Sequence, residues 1–322
     1  MSNAAIDHSE FLARRKKGLG GSDIAIVMGL SKYKTPMQLW QEKAGIVEDD
    51  FTDSEPAYWG NQLEDLVAKE YAKRTGNKVQ RVNAQLKHPE HDWMLGNIDR
   101  AVVEGATKAR VNKDGRLNGA AGILECKTAS AYLAGMWDGE SAPVQYVAQC
   151  QWYMAITGAA WTDLAVLIGG QQFKIIRIEA DAEIQQALID AGKTFWLDCV
   201  QANVPPAPQT GAEVIQLYPQ SMADSVLASY SLEQAVIRLK ELNEKIKTLE
   251  TEQDACKTEI QLALADKDTL VDAAGNVLVT WKSAKETSRT DWKKVSEAAK
   301  VDPSIVTHFT KTVPGSRRFL IK

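Results

Sequence analysis

Long apolar runs and paired cysteines are both missing from this 322-residue chain. No stretch approaches the ~20 apolar residues that a membrane-spanning helix needs. The four cysteines, Cys126, Cys150, Cys199 and Cys256, lie far apart and form no CxxC pair, which argues against a zinc ribbon or a disulfide framework. The N-terminal sequence carries its basic cluster after its few apolar residues, unlike a secretory signal. We therefore expect a soluble protein of the reducing cytoplasm.

An excess of basic charge is missing as well. The formal net charge is −4, so a surface that coats nucleic acid everywhere is not indicated, and any DNA-binding surface must be local. The stretch "GLGGS" at 18–22 matches neither a P-loop nor GxGxxG, and no ATP site is expected. With 44% hydrophobic residues the chain can bury a substantial core, and its length favours two domains.

Hydrophobic spacing divides the first two hundred residues into alternating helices and strands. It predicts helices over about 35–45, 56–75, 141–158 and 181–200, and strands within 78–88, 98–104, 122–128, 163–170 and 172–180. Helices on both sides of such strands indicate an α/β (α+β) fold, with a mixed central sheet flanked by helices. The proline-rich segment 201–213 is the best linker. We therefore place one domain at 1–205 and an accessory helical and β domain at 206–322.

The second region has a different pattern. Apolar or small residues from Leu232 to Ala263 recur at alternating spacings of three and four, a seam typical of coiled coils. We expect a long helix or helix pair whose seam packs on its own small domain, with self-association or a partner as the alternative. A hairpin is predicted over 273–283 and a closing strand over 316–322.

Three residues in the first region carry the chemistry. In the strand "GILECKT", side chains alternate between faces, so Glu125 and Lys127 project together while Cys126 points into the packing. Asp99 lies on a neighbouring strand. Two carboxylates, with the Cys126 carbonyl as a possible third ligand, suit Mg²⁺ or Mn²⁺. A lysine beside such an ion fits phosphodiester hydrolysis; the alternative is a surface salt bridge.

The order of motifs adds to this interpretation. A helix with "GNQLE", a strand with "GNID", a strand with "LECK" and a helix with "YVAQCQWYM" follow one another. This order resembles the PD-(D/E)xK nuclease core and, within it, the lambda-type phage exonucleases, also described as YqaJ-like viral recombinases. The resemblance covers roughly residues 11–200. It implies the fold of that core and a phage- or prophage-encoded enzyme acting in a bacterial cell.

The resemblance also implies roles for single residues. The family's metal carboxylates fall on Asp99 and Glu125, its catalytic lysine on Lys127, and an assisting acidic residue on Glu64, which could otherwise be an exposed helix carboxylate. Its YxxQ signature falls on Tyr146 and Gln149. Gln149 would contact the nucleophilic water or the scissile phosphate, and Tyr146 would pack one turn away or contact DNA.

The N-terminal stretch "RRKKGLGGSDIAIVMG" contains a candidate phosphate site. Ser22 is predicted to be the N-cap of a helix. An arginine seven residues before a serine holds the 5′ phosphate of DNA in the family, and Arg15 and Ser22 have that separation.

The connection 100–124, between Asp99 and Glu125, is longer than a tight hairpin needs and departs in this from the family's pattern. Its Lys108 and Arg110 would either track a phosphate backbone or lie in a solvated loop.

The function implied by the resemblance is that of a Mg²⁺-dependent exonuclease. Such an enzyme digests the 5′ strand of linear duplex DNA and leaves a 3′ single-stranded tail for a single-strand annealing protein. The family further suggests a homo-oligomer, commonly a trimeric ring. Two alternatives remain open at this point: an endonuclease of the same fold, and a non-catalytic recombination scaffold that would bind DNA without metal.

Overall fold

A computed structural model gives the fold and describes residues 16–47, 54–222, 224–311, 315 and 317–321. The chain divides into two compact units, Met1–Val214 and Ile215–Lys322. The domains expected from the sequence, 1–205 and 206–322, stay a prediction about independent folding. Among the described residues no helix is both long enough and apolar enough to cross a membrane.

The first unit is built on a five-stranded sheet. The strands of this unit are β1 (Lys78–Arg81), β2 (Leu86–Lys87), β3 (Leu95–Gly96), β4 (Arg100–Val103), β5 (Arg110–Val111), β6 (Leu117–Asn118), β7 (Gly122–Ala129), β8 (Trp161–Ile168) and β9 (Gln172–Glu179). The central sheet has the order β1-β4-β7-β8-β9. All neighbours are antiparallel except β7 and β8, which are parallel. The sheet is therefore mixed, as the sequence predicted.

Helices cover this sheet and connect its strands. They are α1 (Gly21–Val27), α2 (Pro36–Lys43), α3 (Glu55–Thr75), α4 (Val144–Thr157), α5 (Ala182–Lys193) and α6 (Gly211–Leu217), with a 3-10 helix at Ala131–Trp137 and a π-helical turn at Thr194–Gln201. Parallel strands need a crossover connection, and the 3-10 helix and α4 supply it between β7 and β8. The predicted helices and strands of this region are present, with two differences. The region 78–88 contains two short strands, β1 and β2, which belong to different sheets, and the helix over 181–200 consists of α5 followed by the π-helical turn.

The core of the first unit lies between α3 and one face of the sheet. Val67, Ala68 and Tyr71 of α3 pack against Leu124 and Cys126 of β7, and all are buried. Cys126 therefore points into the packing, as expected from the alternation of side chains along a strand. The other face of β7, which carries Glu125, is turned toward α4.

A buried cluster of hydrogen-bonded side chains connects α3 to strands β8 and β9. The Tyr71 hydroxyl donates to Asp163 Oδ2 at 2.6 Å, and Arg177 binds both oxygens of the same carboxylate at 2.7 and 2.8 Å. A buried carboxylate is tolerated only when it is paired. This group therefore fixes the position of α3 over β8 and β9.

The second unit contains one long helix and a hairpin. Its elements are α7 (Tyr230–Leu264), β10 (Thr269–Val271), β11 (Val277–Thr280), α8 (Trp292–Ala298) and α9 (Pro303–Phe309). The two strands pair antiparallel, which confirms the predicted hairpin. The expectation that the seam of α7 packs on its own domain is wrong, because Leu242, Ile246 and Leu249 remain exposed. The closing strand is also wrong: the described residues 317–321 form none.

Candidate active site

Strand β7 brings a carboxylate and an ammonium group together in a cleft. Glu125 and Lys127 project from the same face, and Lys127 Nζ lies 2.7 Å from Glu125 Oε1. Glu125 is 2% exposed, whereas the Lys127 side chain is about one-fifth exposed, at 22%. The lysine therefore lies on the solvent side of the pair, where it can reach a bound substrate.

Asp99 joins this pair from the residue just before β4. Its Oδ2 accepts a hydrogen bond from the backbone N–H of Cys126 at 2.7 Å. The N–H and C=O of one strand residue point to the same side of the strand, so the Cys126 carbonyl is directed toward Asp99 as well. The ladder between β4 and β7 ends at the pair Arg100 and Leu124, which leaves this side of Cys126 outside the ladder. The structure thus brings together the two carboxylates and the carbonyl that the sequence suggested.

Helix α4 holds Glu125 from the opposite side. Gln149 Nε2 donates to Glu125 Oε1 at 2.7 Å and lies 3.1 Å from the Tyr153 hydroxyl, to which it also donates. Gln149 and Tyr153 are four residues apart and therefore share one helix face. Glu125 Oε1 accordingly has two donors, Lys127 and Gln149, and its orientation is fixed.

Tyr146 lies one turn earlier on α4, beside the lysine. Its ring is stacked on Trp137, with ring centroids 5.3 Å apart, and Lys127 Nζ lies 5.4 Å from the ring centroid. An ammonium within about 6 Å of an aromatic face is attracted to it. Tyr146 therefore belongs to the surroundings of Lys127 and helps to hold its side chain.

Burial and mutual repulsion give the carboxylates unusual acidities. Burial, and after it the charge of Glu125, raise the pKa of Asp99 well above its usual value. Burial also raises the pKa of Glu125. Burial opposes the charge of Lys127, but Glu125 and Asp99 outweigh it and raise the pKa of that ammonium. The two carboxylates repel each other, and one lysine balances only one of their two negative charges. The cleft therefore favours the binding of a further cation.

One atom provides a direct test of whether a metal ion would fit. Glu125 Oε2 is buried and has no hydrogen-bond partner among the described residues. A buried carboxylate oxygen without a partner is costly, and a cation would satisfy it. No group of three His, Cys, Asp or Glu side chains converges as a metal site within the described ranges. Two carboxylates and a carbonyl still suit Mg²⁺, which usually keeps several waters and substrate oxygens as ligands.

Glu64 occupies a different environment from the two cleft carboxylates. Its Oε1 lies 2.5 Å from Arg100 Nη1. Arg100 is paired with Leu124 in the ladder, and Leu124 faces α3, so the ion pair lies on the α3 side of the sheet. Glu64 raises the pKa of Asp99 only as a later contribution. The assisting role of Glu64 stays a prediction.

The glycine-rich loop before α1 forms another wall of the cleft. The N-cap of α1 is Gly20, and Asp23 closes a capping box by accepting from the Gly20 N–H at 2.9 Å. The prediction of Ser22 as the N-cap is therefore wrong: the N-cap lies two residues earlier, where Asp23 accepts its backbone N–H, and Ser22 is an exposed residue within the first turn. Arg15 lies outside the described residues.

Two adjoining clefts connect these residues. The first, of about 360 Å³, contains the candidate catalytic residues and part of the glycine loop; its lining includes Ser22, Asn61, Asn97, Asp99, Glu125, Lys127, Gln149 and Tyr153. The second, of about 610 Å³, shares Gln85 and Leu95 with it, and its charged lining residues are Lys17, Lys87 and Asp92. Together they form a groove with basic side chains at one end. Lys108 and Arg110 are exposed near and on the small β5–β6 ribbon and do not line either cleft.

Comparison with known proteins identifies the family. The model of the YqaJ-like viral recombinase domain matches residues 10–160. The uncharacterized protein YqaJ of Bacillus subtilis is 34% identical over 302 residues, which cover 92% of this chain and 89% of that protein. The chain belongs to the YqaJ-like viral recombinase family. The match extends through the second unit, so the α7 region is part of the family relationship with YqaJ.

A solved structure supports the fold. The alkaline exonuclease LHK-Exo of Laribacter hongkongensis, in complex with dAMP, superposes with a TM-score of 0.50 at 19% identity and covers 66% of this chain and 98% of its own. A second crystal structure of this exonuclease gives a TM-score of 0.48 at 20% identity, covering 61% of this chain and 94% of its own. The PD-(D/E)xK fold expected for this member of the YqaJ-like family is confirmed.

Sequence reasoning missed three residues of this site. The motifs give Tyr153 no role in the site, yet its hydroxyl contacts Gln149, and its ring lies so close to Gly21 that a Cβ there would be 2.6 Å from Tyr153 Cε1. Lys43 Nζ lies 2.7 Å from Asp23 Oδ2 in a buried ion pair and also donates to the Gly18 carbonyl at 2.9 Å. The signal for Tyr153 was its position four residues after Gln149; no local signal joins Asp23 to Lys43.

Proposed function

We propose that this protein is a metal-dependent DNA exonuclease. The observation that carries the proposal is the buried Glu125 carboxylate, which has one oxygen bound by Lys127 and Gln149 and the other without a hydrogen-bond partner among the described residues. A buried carboxylate oxygen without a partner is costly, and a bound cation would satisfy it. The family relationship and the basic groove next to the cleft support DNA as the substrate.

The side chains have distinct tasks in the proposed reaction. Asp99, Glu125 and the Cys126 carbonyl would hold Mg²⁺ or Mn²⁺, with Glu64 assisting from the other side of the sheet. When bound, the ion supplies Lewis-acid polarisation of the scissile phosphate. Lys127 orients the attacking water and offsets negative charge that develops on the phosphate. Gln149 keeps Glu125 in place through its hydrogen bond.

Direction and product form part of the same proposal, and the resemblance to the lambda-type exonucleases supports them. The enzyme digests the 5′ strand of linear duplex DNA from its end and leaves a 3′ single-stranded tail. A single-strand annealing protein takes up that tail, and the nuclease acts as a homo-oligomer, a trimeric ring in the family. Arg15 and Ser22 grip the terminal 5′ phosphate; Ser22 lines the same cleft as the catalytic residues. Lys108, Arg110 and Tyr146 are further candidate DNA contacts.

The central experiment measures acid-soluble nucleotide released from linear duplex DNA with 5′-phosphate ends. We expect release with Mg²⁺ and none with EDTA, and no digestion of covalently closed circles. Lys127→Ala should abolish release, whereas Lys69→Ala should not, because Lys69 is 74% exposed on α3 and pairs only with Asp65 at the surface. Equal activity of Lys127→Ala and wild type would refute the catalytic assignment, and cutting of closed circles would indicate an endonuclease.

Polarity needs a separate labelling experiment. With duplexes labelled at one 5′ or one 3′ end, the proposed direction predicts that 5′ label becomes acid-soluble at once and 3′ label only late. A 5′-hydroxyl end should be digested more slowly than a 5′-phosphate end, and Arg15→Ala should remove this difference. Early release of 3′ label would overturn the direction while leaving the nuclease assignment intact.

A further inference from the structure

Helix α7 presents an apolar surface that the described residues of the second unit do not cover. The helix runs from Tyr230 to Leu264 and, at 1.5 Å per residue, is about 52 Å long. Leu264 is its one buried residue among the 35, all of which are described. Helices in proteins gain most of their stability from packing of an apolar face. A further surface is therefore needed to cover α7.

The exposed side chains form one seam with coiled-coil spacing. The spacing of three and four places Leu232, Leu239, Ile246, Gln253 and Ile260 at the heptad a positions. The d positions are Ala235, Leu242, Leu249, Cys256 and Ala263. Such a seam fits a second helix that carries the same heptads. A copy of α7 from another chain meets this requirement.

The residues that flank the seam are complementary to those of a second copy. In a parallel pair, a g residue lies near the e residue five positions later on the partner helix. This places Lys245 near Glu250 of the other copy, and Glu252 near Lys257. Both pairs join opposite charges, and symmetry produces each of them twice. Among the described residues no ion pair involves Lys245, Glu250 or Glu252. Lys257 lies 3.3 Å from Asp254 of its own helix, in an exposed pair that would exchange for the pair with Glu252.

The polar residue in the seam decides between the two possible directions. In a parallel, in-register pair Gln253 meets Gln253 of the other copy, so the two amides hydrogen-bond to each other. In an antiparallel pair whose helices overlap over their full length, Gln253 would face Leu242 of the other copy. Its buried amide would then have no hydrogen-bond partner on that copy, which would weaken association. A single polar a residue commonly sets register in this way.

We propose that α7 pairs with α7 of a second copy of this chain as a parallel, in-register, two-stranded coiled coil. The pairing surface belongs to the second unit and does not depend on the nuclease activity proposed above. The seam joins chains in pairs, so in the ring proposed above it would join the chains of one ring to those of a second ring. It places the two β10–β11 hairpins of each pair at the same end of the coiled coil.

The first test compares two isoleucines on opposite sides of α7. Ile246 lies in the seam and is 51% exposed; Ile237 is 50% exposed and, nine residues earlier, about 180° around the helix. In full-length protein, light scattering should show that Ile246→Glu halves the molar mass and weakens association about a hundredfold or more. Ile237→Glu should leave the mass unchanged. A monomeric wild type, or equal masses for Ile246→Glu and wild type, would overturn the proposal.

The second test examines direction through a charge exchange. Lys245→Glu should weaken association, and the double variant Lys245→Glu/Glu250→Lys should restore it, because the pair re-forms with opposite signs in a parallel coiled coil. In the antiparallel arrangement Lys245 faces Glu252 instead. Rescue by Glu252→Lys and not by Glu250→Lys would therefore overturn the parallel register.

The third test uses the exposed Cys256 as a distance reporter. In the parallel register the two Cys256 residues face each other, within the ~4.4–6.8 Å between Cα atoms that a disulfide requires. In the antiparallel arrangement they are ~17 residues, or about 25 Å, apart along the axis. With diamide, which accepts the two electrons and two protons lost by the thiols, wild type should form a covalent dimer and Cys256→Ser should not. No dimer from a self-associated wild type would overturn the register.

Discussion

Addition of Mg²⁺ to metal-free protein should raise its melting temperature, and this effect should depend on Glu125. Burial, and for Asp99 also the charge of its neighbour, raise the pKa of both carboxylates above their unfolded values. A raised pKa gives a stabilising contribution that is complete below the unfolded pKa of ~4 and is lost as the pH rises through the folded value. Without metal, the two carboxylates therefore contribute least to the free energy of unfolding at alkaline pH, where both are charged. A bound cation should raise the stability of the protein most under these conditions.

The size of the effect can be worked out. A ligand at about a hundred times its Kd stabilises the folded state by about 2.7 kcal/mol. A unit the size of Met1–Val214 shifts its melting temperature by about 2–4 °C per kcal/mol. The expected rise at pH 8 is thus about 5–11 °C. It should shrink as the pH falls toward ~4, because protons then compete for the carboxylates.

The assay is thermal unfolding followed by circular dichroism, with EDTA or saturating Mg²⁺, at several pH values. Glu125→Gln keeps the shape of the side chain and removes its charge, so its Mg²⁺-dependent rise should fall below about 1 °C. The matched control is Glu70→Gln, which makes the same chemical change in an ion pair with Arg74 on α3. The assignment of Glu125 as a metal ligand would be refuted if Mg²⁺ raised the melting temperature of Glu125→Gln as much as that of wild type. It would also be refuted if Glu70→Gln lost the Mg²⁺-dependent rise to the same extent as Glu125→Gln.

Three further predictions follow from the same structure. Lys127→Ala should lower the nuclease rate by about 10²–10³-fold while keeping the Mg²⁺-dependent rise in melting temperature, since the candidate ligand oxygens are unchanged. Gly21→Ala should lower the free energy of unfolding in urea by about 1–3 kcal/mol, because the new Cβ would lie 2.6 Å from the Tyr153 ring. Tyr71→Phe should cost about 1–3 kcal/mol in the same assay, because the hydroxyl hydrogen bond that Asp163 accepts at 2.6 Å is lost.

The two stability predictions each have a further check. Ser22→Ala, next to Gly21 but exposed, should change the free energy of unfolding by less than about 0.5 kcal/mol; an equal loss in both variants would contradict the packing argument. Burial and the hydrogen bond to Asp163 raise the pKa of Tyr71 to about 12. The penalty of Tyr71→Phe should accordingly stay constant between pH 7 and 9, and a strong change over that range would contradict a neutral hydroxyl donor.

The regular elements of the first unit could be predicted from the sequence because local signals determine them. The helix over 141–158 ends where Gly158 adopts a φ of 71°, a conformation that glycine tolerates best. The alternation along β7 assigned Glu125, Cys126 and Lys127 to the correct faces. These inferences needed only the immediate neighbours in the chain.

The contacts that complete the site could not be predicted in the same way. Arg100 binds Glu64 across 36 positions of sequence, and Lys43 binds Asp23 across 20. The choice of Gly20 over Ser22 as the N-cap depended on Asp23, whose own position is held by that lysine. Such choices depend on which surfaces the fold brings together, and single-sequence periodicity does not contain this information.

Strand β7 connects the stability of the first unit with the chemistry of its cleft. Its Cys126 side chain packs under Val67 and Tyr71 of α3, while the backbone N–H of the same residue binds Asp99 and its carbonyl is a candidate ligand. Movement of α3 would therefore displace the N–H and the carbonyl of Cys126 in the cleft, although α3 contacts neither Glu125 nor Asp99 in this way. The buried Tyr71 and Asp163 pair holds that helix. Because backbone groups of a packed strand have little freedom, the core fixes the distance between the two carboxylates, and a cation need not bring them together.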